Sequence, residues 1–471
     1  MTWSDDWFVG RLTSTPHGRV FGETVGSTVR SARLVLVRFC AAPEELSDQL
    51  TLNIELDATA TRQLAAPAVC SSRFAPTTRR SMRRPRGHAA LDNPGRDPMT
   101  GPRPERATSD QNAPPIEATP GVPTVDVAIP CYRYGHMLDT AVRSVLEQDG
   151  VAARILIIDD ASPDDSAAAA TAIAARDARI SVRVHASNLG HIATFNEGVL
   201  DWASADYTLL LSADDALTPG ALRRATDLLD AHPRVAFAYG AALSWSGTDP
   251  PPIARTGEPE WVVHGGDDWM RRCFLAGTNP IASPAVVVRT ATQHRVGGYR
   301  SDLLHTSDLE MWLRLALHGD VGFLAGVDQA LCRQHDANMS RTYEDAGAGL
   351  GDLRMRLAAF EVVEARIGDR RLPGSAALSR RLRRRLATDA LLRVSRDYDK
   401  GRLITADHDE LVDFARDTAP HVERLAAWHA LRVRRLLGPR VTPLLRPLVL
   451  TAVGRRARQI WRDRRLAKAG V

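Results

Sequence analysis

The feature that most limits what this chain can fold into is the alternation, between Val125 and Leu229, of short apolar runs with stretches of helical periodicity. VDVAIP (125–130) reads as a short buried strand, and Leu138, Ala141, Val142, Val145 and Leu146 then follow the i, i+3, i+4, i+7, i+8 stripe of an amphipathic helix. The unit repeats. RILIIDD (154–160) precedes the alanine-rich segment 166–175, ISVRVHAS (180–187) alternates as a strand, and 194–203 is helical in pattern. YTLLLSADD (207–215) leads to Thr218 as N-cap and Pro219 as first helical residue of a helix apolar at Ala221, Leu222, Ala225, Leu228 and Leu229. Such alternation predicts an α/β fold with a mainly parallel sheet and helices on both faces. Further strands are expected at VAFAYGAAL (235–243) and PAVVVR (284–289), and a helix over DLEMWLRLALHG, stopped by Gly319.

These signals bound a core at residues 123–345. Before it, residues 1–122 hold strand-like runs such as RLVLVRF and end in a Pro/Arg/Ser/Thr-rich tract, 76–120, with little to bury, which predicts a poorly structured extension and linker. Met99 is a plausible natural start. After it, residues 346–471 read as an Arg-rich helical accessory region without strand alternation. A sequence of 471 residues is long enough for a core plus smaller segments, and 44% hydrophobic with 25% charged residues is an ordinary aqueous balance. The five cysteines are scattered without CxxC spacing and odd in number, so a disulfide framework is not expected. No apolar run reaches the roughly 18 residues of a membrane span, and MTWSDDWFVG has no signal-peptide layout. The expected location is cytoplasmic, with a peripheral position at the inner face of the plasma membrane open.

In open α/β sheets ligands gather beyond the carboxyl ends of the strands. The candidate residues are therefore Pro130-Cys131-Tyr132, Asp159-Asp160, Asn188-Leu189-Gly190 and Asp214-Asp215. Asp-Asp-Ala-Ser-Pro is also good turn chemistry, so the first acidic pair has a purely local explanation. The second has less of one, because Thr218 already offers a cap. Two acidic pairs in one crevice repel unless a cation or hydrogen-bond donors are present, and carboxylates with diphosphate oxygens form the hard-oxygen environment that Mg²⁺ or Mn²⁺ prefers.

IPCYRYGHMLDTAVRSVLEQ, ILIIDDASPDDS, NLGHIATFNEGV and YTLLLSADDALTPGAL, in this order and spacing, resemble the family 2 glycosyltransferases. The resemblance implies a GT-A-like nucleotide-sugar domain. It implies that Pro130 and Tyr132 line the base pocket, that Asp160 accepts a hydrogen bond from the base, and that Asn188 and Gly190 border the nucleotide. Asp214 would contact ribose or metal, and Asp215 the metal bridging the diphosphate. Ser212 stands where many members carry a further acid. HTSDLEMWLRLA resembles the family's acidic-pair helix start, which places the catalytic base at Asp308, with Ser307 in the other acidic position. Ser307 and Glu310 also spell an S-x-x-E capping box, the local alternative for this segment. CRQHDANMSR resembles a closing element of the family and offers His335 as a third metal ligand, with Asn338, Ser340 and Arg333 beside it.

The reaction so implied moves a sugar from a nucleotide-diphosphate sugar to an acceptor hydroxyl with inversion, on a glycan or lipid-linked acceptor in cell-envelope synthesis. A glycosyltransferase-like binding protein without turnover, suggested by Ser212 and Ser307, and a nucleotidyltransferase are the alternatives. The latter calls for a Gly-rich basic loop where this chain has Cys131-Tyr132-Arg133-Tyr134. Arginine clusters at 380–385, 432–435 and 455–465 suit a solvated helix face or contact with an anionic membrane, and nucleic acid is not an expected partner.

Overall fold

The computed structural model describes residues 119–444 apart from 248–249, 337, 339–348 and 373, together with strands at 32–36 and 50–54 and Gly470. The Pro/Arg tract up to residue 118, Met99, Ser340 and the 455–465 arginines lie outside the described residues. The chain divides into two units. In the first, β1 (Ala32–Leu36) pairs antiparallel with β2 (Leu50–Ile54), so the RLVLVRF run does contribute a strand.

The second unit holds the alternating region. The apolar runs form β3 (Thr124–Cys131), β4 (Ala152–Asp159), β5 (Ile180–Val184) and β6 (Tyr207–Leu210). They pair in parallel in the order β5-β4-β3-β6. Between them run α1 (Leu138–Leu146), α2 (Ser166–Ala174) and α3 (His191–Asn196), and α3 continues as a π-helical turn over Glu197–Trp202. Alternate residues Val125, Val127 and Ile129 of β3 enter one hydrophobic cluster with Leu138, Val142 and Val145 of α1. On the opposite side Gly198 packs against Ala128, where a Cβ would stand 2.5 Å from that methyl. Only glycine lets the π turn lie this close to the sheet.

Beyond β6 the sheet is mixed. The remaining elements are β7 (Ala216–Leu217), α4 (Ala221–Ala231), β8 (Val235–Trp245), β9 (Glu260–His264), α5 (Gly266–Ala276), β10 (Val286–Arg289), α6 (Thr290–Val296), α7 (Ser307–Ala316) and β11 (Asp320–Arg333). β10 runs antiparallel between β6 and β8, β11 lies parallel to β8, and β7 and β9 pair antiparallel with β11. The parallel order expected from the sequence thus holds for the first half of the sheet.

Two local expectations change. Helix α4 starts at Ala221 after left-handed Gly220, not at a Thr218 cap. The β7–β11 pairing claims Thr218, whose hydroxyl donates to the Asp328 carbonyl at 2.5 Å. The Ser307/Glu310 capping box does not form either. Glu310 is fully buried and pairs with Arg314, which also donates to the carbonyls of Val296 and Gly298.

The C-terminal segment folds as α8 (Leu350–Arg371), α9 (Ser375–Asp399), α10 (Ala406–Thr418) and α11 (Ala426–Val441). One hydrophobic cluster runs from Phe237 and Trp269 through Trp312 to Phe360, Leu386 and Leu411. These helices therefore share a core with the second half of the sheet. Several of their arginines look inward. Arg434 is buried against Asp399, Arg383 pairs with Glu361 and Glu364, and Arg356 donates to the Gly277 carbonyl.

Candidate active site

The strand exits that the sequence singled out lie at one end of the parallel strands, and the first three of them are tied together by hydrogen bonds. Tyr132 is 43% exposed just past β3, beside half-buried Pro130. Arg133 and Ala161 both take left-handed backbone conformations, with φ of 67° and 54°. Non-glycine residues seldom do so, and two such exits on adjacent strands mark backbone shaped for something other than stability. The Arg133 amide donates to Ser162 Oγ at 2.9 Å, joining the two exits.

The acidic pair after β4 divides its work. Asp159 accepts from the amide and hydroxyl of Ser162 at 3.0 and 2.6 Å, which is turn chemistry. Asp160 instead accepts the amides of Leu189 and Gly190 at 2.7 and 2.9 Å, while Asn188 Nδ2 donates to its carbonyl at 3.1 Å. Gly190 has φ of 85°, which permits its amide to turn towards Asp160 at the head of α3. Asp160, Asn188 and Gly190 are thus one cluster.

Asp214 and Asp215 form a second cluster, with a region about 120 residues further along the chain. β7 begins directly after them and is laddered to β11, whose end delivers Arg333, His335 and Asn338. The Arg333 amide donates to Asp215 Oδ1 and its Nε to the Asp214 carbonyl, both at 2.9 Å, while its guanidinium lies 4.1 Å over the Trp245 ring. His335 Nε2 is 3.0 Å from Asp214 Oδ2, with Asn338 Nδ2 at 3.4 Å from the same oxygen. Tyr134 meets the His335 ring edge-on at 5.4 Å and links this cluster to the β3 exit.

Burial and, after it, the adjacent Asp214 charge push the Asp215 carboxyl up to about 8. The same forces, burial first and then Asp215 and Asp214, raise Cys332 to about 12. A folded-state pKa above the unfolded one means that the native chain holds this proton more tightly. Stability is then lost as pH rises from about 4 towards 8. Asp215→Asn, which keeps an acceptor for the Arg333 amide, is expected to raise the melting temperature of cation-free protein at the upper end of this window and to change little at its lower end. Thermal melts across the window check this, and an equal shift at both ends would contradict it.

Asp308 stands in a third cluster at the start of α7. Its Oδ2 accepts Asn279 Nδ2 at 2.7 Å and Ser283 Oγ at 3.1 Å, and its Oδ1 accepts the Leu309 amide at 2.7 Å. Burial raises this carboxyl above its ordinary value, and the donors, with Leu309 first, only partly offset it. The loop before α7 is anchored to α3, where His191 Nε2 lies 3.0 Å from the Leu304 carbonyl and Asn196 bonds both backbone groups of Tyr299. Among the described residues no hydrogen bond joins the three clusters directly.

Sequence reading overlooked His185, Glu197 and Arg183, which form a charged chain behind Asp160. The only sequence signal was that His185 follows β5 at the ligand-binding end of the sheet. It also overlooked Asn279 and Ser283, which no periodicity distinguishes.

Comparison with known proteins places this arrangement. The model of the glycosyl transferase family 2 domain matches residues 126–259, a stretch holding all four strand-exit motifs. An uncharacterized protein of Mycobacterium tuberculosis is 29% identical over 237 residues, covering 48% of this chain and 72% of that protein. An uncharacterized protein of Sinorhizobium fredii is 29% identical over 194 residues, covering 41% of this chain but only 20% of its own length. Among solved structures, S. aureus TarS 1-349 in complex with UDP-GlcNAc aligns at 13% identity and a TM-score of 0.46, covering 68% of this chain and 90% of that one. A mannosyltransferase from Pyrobaculum calidifontis in complex with GDP-Man and Mn²⁺ aligns at 15% identity and a TM-score of 0.42, covering 67% and 87%. By the family match over its ordered strand-exit motifs, residues 126–259 of the chain form a glycosyl transferase family 2 domain.

Proposed function

We propose that the protein transfers a sugar from a nucleotide-diphosphate sugar to an acceptor hydroxyl with inversion, using Asp308 as general base. The observation that carries the donor half of this reading is the buried Asp214-Asp215 pair. Two carboxylates shielded from water, one of them pushed up to about 8, are an unfavourable arrangement unless a cation joins them. The donor set suits Mg²⁺ or Mn²⁺. His335 Nε2 lies 3.0 Å from Asp214 Oδ2, which puts an imidazole nitrogen beside the carboxylates as a further donor a divalent cation would accept. Among the described residues no three His, Cys, Asp or Glu side chains converge as a ready-made metal site. Asp215 and Asp214, with His335 beside them, would hold the ion only together with diphosphate oxygens. When bound, the ion supplies charge stabilisation for the departing nucleoside diphosphate.

The protein's own groups do the remaining work. The Asp160 edge, with Tyr132, Pro130, Asn188 and Gly190, receives the nucleoside. Arg333 holds the Asp215 carboxylate through its amide and the Asp214 carbonyl through its Nε, with its charge near the diphosphate end. Asp308, fixed by Asn279 and Ser283, takes the proton of the acceptor hydroxyl as that oxygen attacks the anomeric carbon from the face opposite the leaving group. Membrane-proximal acceptors, glycan or lipid-linked, fit α11, where Leu436 at 85% and Val433 at 43% exposure flank exposed Arg432 on one solvent face. This supports a role in cell-envelope glycan or glycolipid synthesis.

A panel of nucleotide-sugars incubated with Mn²⁺ tests the reading. Release of nucleoside diphosphate from at least one donor is expected, and Asp215→Ala should abolish both that release and the Mn²⁺ dependence of nucleotide affinity in calorimetry. Nucleotide binding without release from any donor, even with glycan or lipid acceptors present, would favour a binding protein. Binding that ignores Mn²⁺ would remove the ion from the scheme.

A further inference from the structure

The network behind Asp160 limits what Asp160 can accept. The His185 side chain is 7% exposed and lies between two carboxylates, with Nδ1 2.7 Å from Asp160 Oδ1 and Nε2 2.8 Å from Glu197 Oε2. Glu197 is bonded in turn to Arg183. Both ring nitrogens face acceptors, so both carry hydrogens in the arrangement that satisfies the network, and the ring is an imidazolium. The Glu197 hydrogen bond, with help from Asp160, raises the pKa of His185 against the effect of burial. On Glu197 burial pulls the other way, but His185 and Arg183 prevail and hold it below the ordinary carboxylate value.

A carboxylate offers about four acceptor positions, two on each oxygen. On Asp160, Oδ1 already serves the Leu189 amide and His185 Nδ1, so it is full. Among the described residues Oδ2 serves only the Gly190 amide. One acceptor position on one oxygen is left. Guanine presents two adjacent donors, N1–H and an N2 hydrogen, which call for both oxygens of a carboxylate. Adenine and cytosine present an amino hydrogen beside a ring nitrogen lone pair, which a carboxylate repels. Uracil and thymine present one imide N–H, which needs a single acceptor.

Building on the assignment of Asp160 to the base pocket, we propose that the donor carries uracil or thymine, and that His185 and Glu197 are positioning residues that restrict Asp160 to a single acceptor. Removing His185 frees Oδ1 and opens the second position that guanine requires. The effect is one of selectivity: a purely structural histidine would weaken all nucleotides alike when lost, whereas this one changes their ratio.

Calorimetry of the full chain with UDP, dTDP, CDP, GDP and ADP in the presence of Mn²⁺ tests the proposal. UDP or dTDP should bind at least about tenfold more tightly than the other three, and comparison of the two separates a uracil from a thymine donor. In His185→Ala the ratio of UDP (or dTDP) to GDP affinity should fall towards one. Should that variant fail to fold, Glu197→Gln keeps the side-chain shape, loosens His185 and should move the ratio the same way. GDP binding as tightly as UDP and dTDP in the wild type, or an unchanged ratio in the folded variants, would overturn the proposal. Asp160→Ala distinguishes the two levels of failure. If it weakens nucleotide binding while GDP is preferred, the base pocket stands and the selectivity is wrong; if it changes no affinity, the base does not meet Asp160 at all.

Discussion

Asp308→Asn is expected to lower sugar transfer by about 10²- to 10⁴-fold while nucleotide affinity stays close to that of the wild type. The carboxylate is the proton acceptor in the proposed scheme, and an amide cannot take that role. Its neighbours make the test clean, because Asn279, Ser283 and the Leu309 amide all donate to Asp308, and the amide oxygen of asparagine can keep part of this set. Among the described residues, the Asp160 and Asp214-Asp215 clusters share no hydrogen bond with it. Burial raises the Asp308 carboxyl, and a base must be deprotonated to act, so the acidic limb of kcat/KM should lie above the ordinary carboxylate range. Activity is lost as pH falls through that limb. Asn279→Ala removes one donor that favours the charged form, so the limb should move further up in pH with a smaller loss in the plateau rate. Full transfer activity in Asp308→Asn would remove this residue from the mechanism, and Glu310, the next acid in the helix, does not offer a substitute.

What could be read from the sequence follows from what writes a local signal. Apolar runs such as 125–129 and 155–158 are buried on both faces of a parallel sheet and stand out, and the polar residues at their ends can be named from them. That made Asp160, Asn188, Gly190, Asp214 and Asp215 visible. Pairings between distant segments leave no such mark. The Thr218 cap was lost because β7 joins β11, which follows more than 100 residues later, and the same ladder brings His335 to Asp214. His185 and Glu197 meet Asp160 only because a parallel strand and a π-helical turn converge behind it. The arginine runs of α9 and α11 suggested open basic faces, yet Arg383 and Arg434 are spent on acids from other helices. A charge run in sequence does not reveal where its partners are.

The contrast between Asp308 and Glu310 sets up the second large effect. Glu310 is 0% and Arg314 5% exposed at their side chains, joined by two-pronged contacts of 2.8 to 3.2 Å. Arg314 also donates to the carbonyls of Val296 and Gly298, pinning the loop that leads into α7. Glu310→Ala leaves a guanidinium buried without its counter-charge, and loss of one partner of a buried pair costs about 3–5 kcal/mol. Urea denaturation should therefore show a much lower midpoint for this variant, while Asp308→Asn stays near the wild type. Replacing both partners, Glu310→Leu with Arg314→Met, should recover part of the loss because no unpaired charge is then buried. The recovery stays incomplete, since the two loop carbonyls lose their donor. Two acids a single residue apart on one helix are then separable by measurement: loss of transfer with an intact fold identifies the base, and loss of fold identifies the acid that the sequence suggested as a cap. If Glu310→Ala leaves the midpoint unchanged, the Arg314 pair does not hold α7 in place, and the orientation of Asp308 must rest on Asn279, Ser283 and the Leu309 amide.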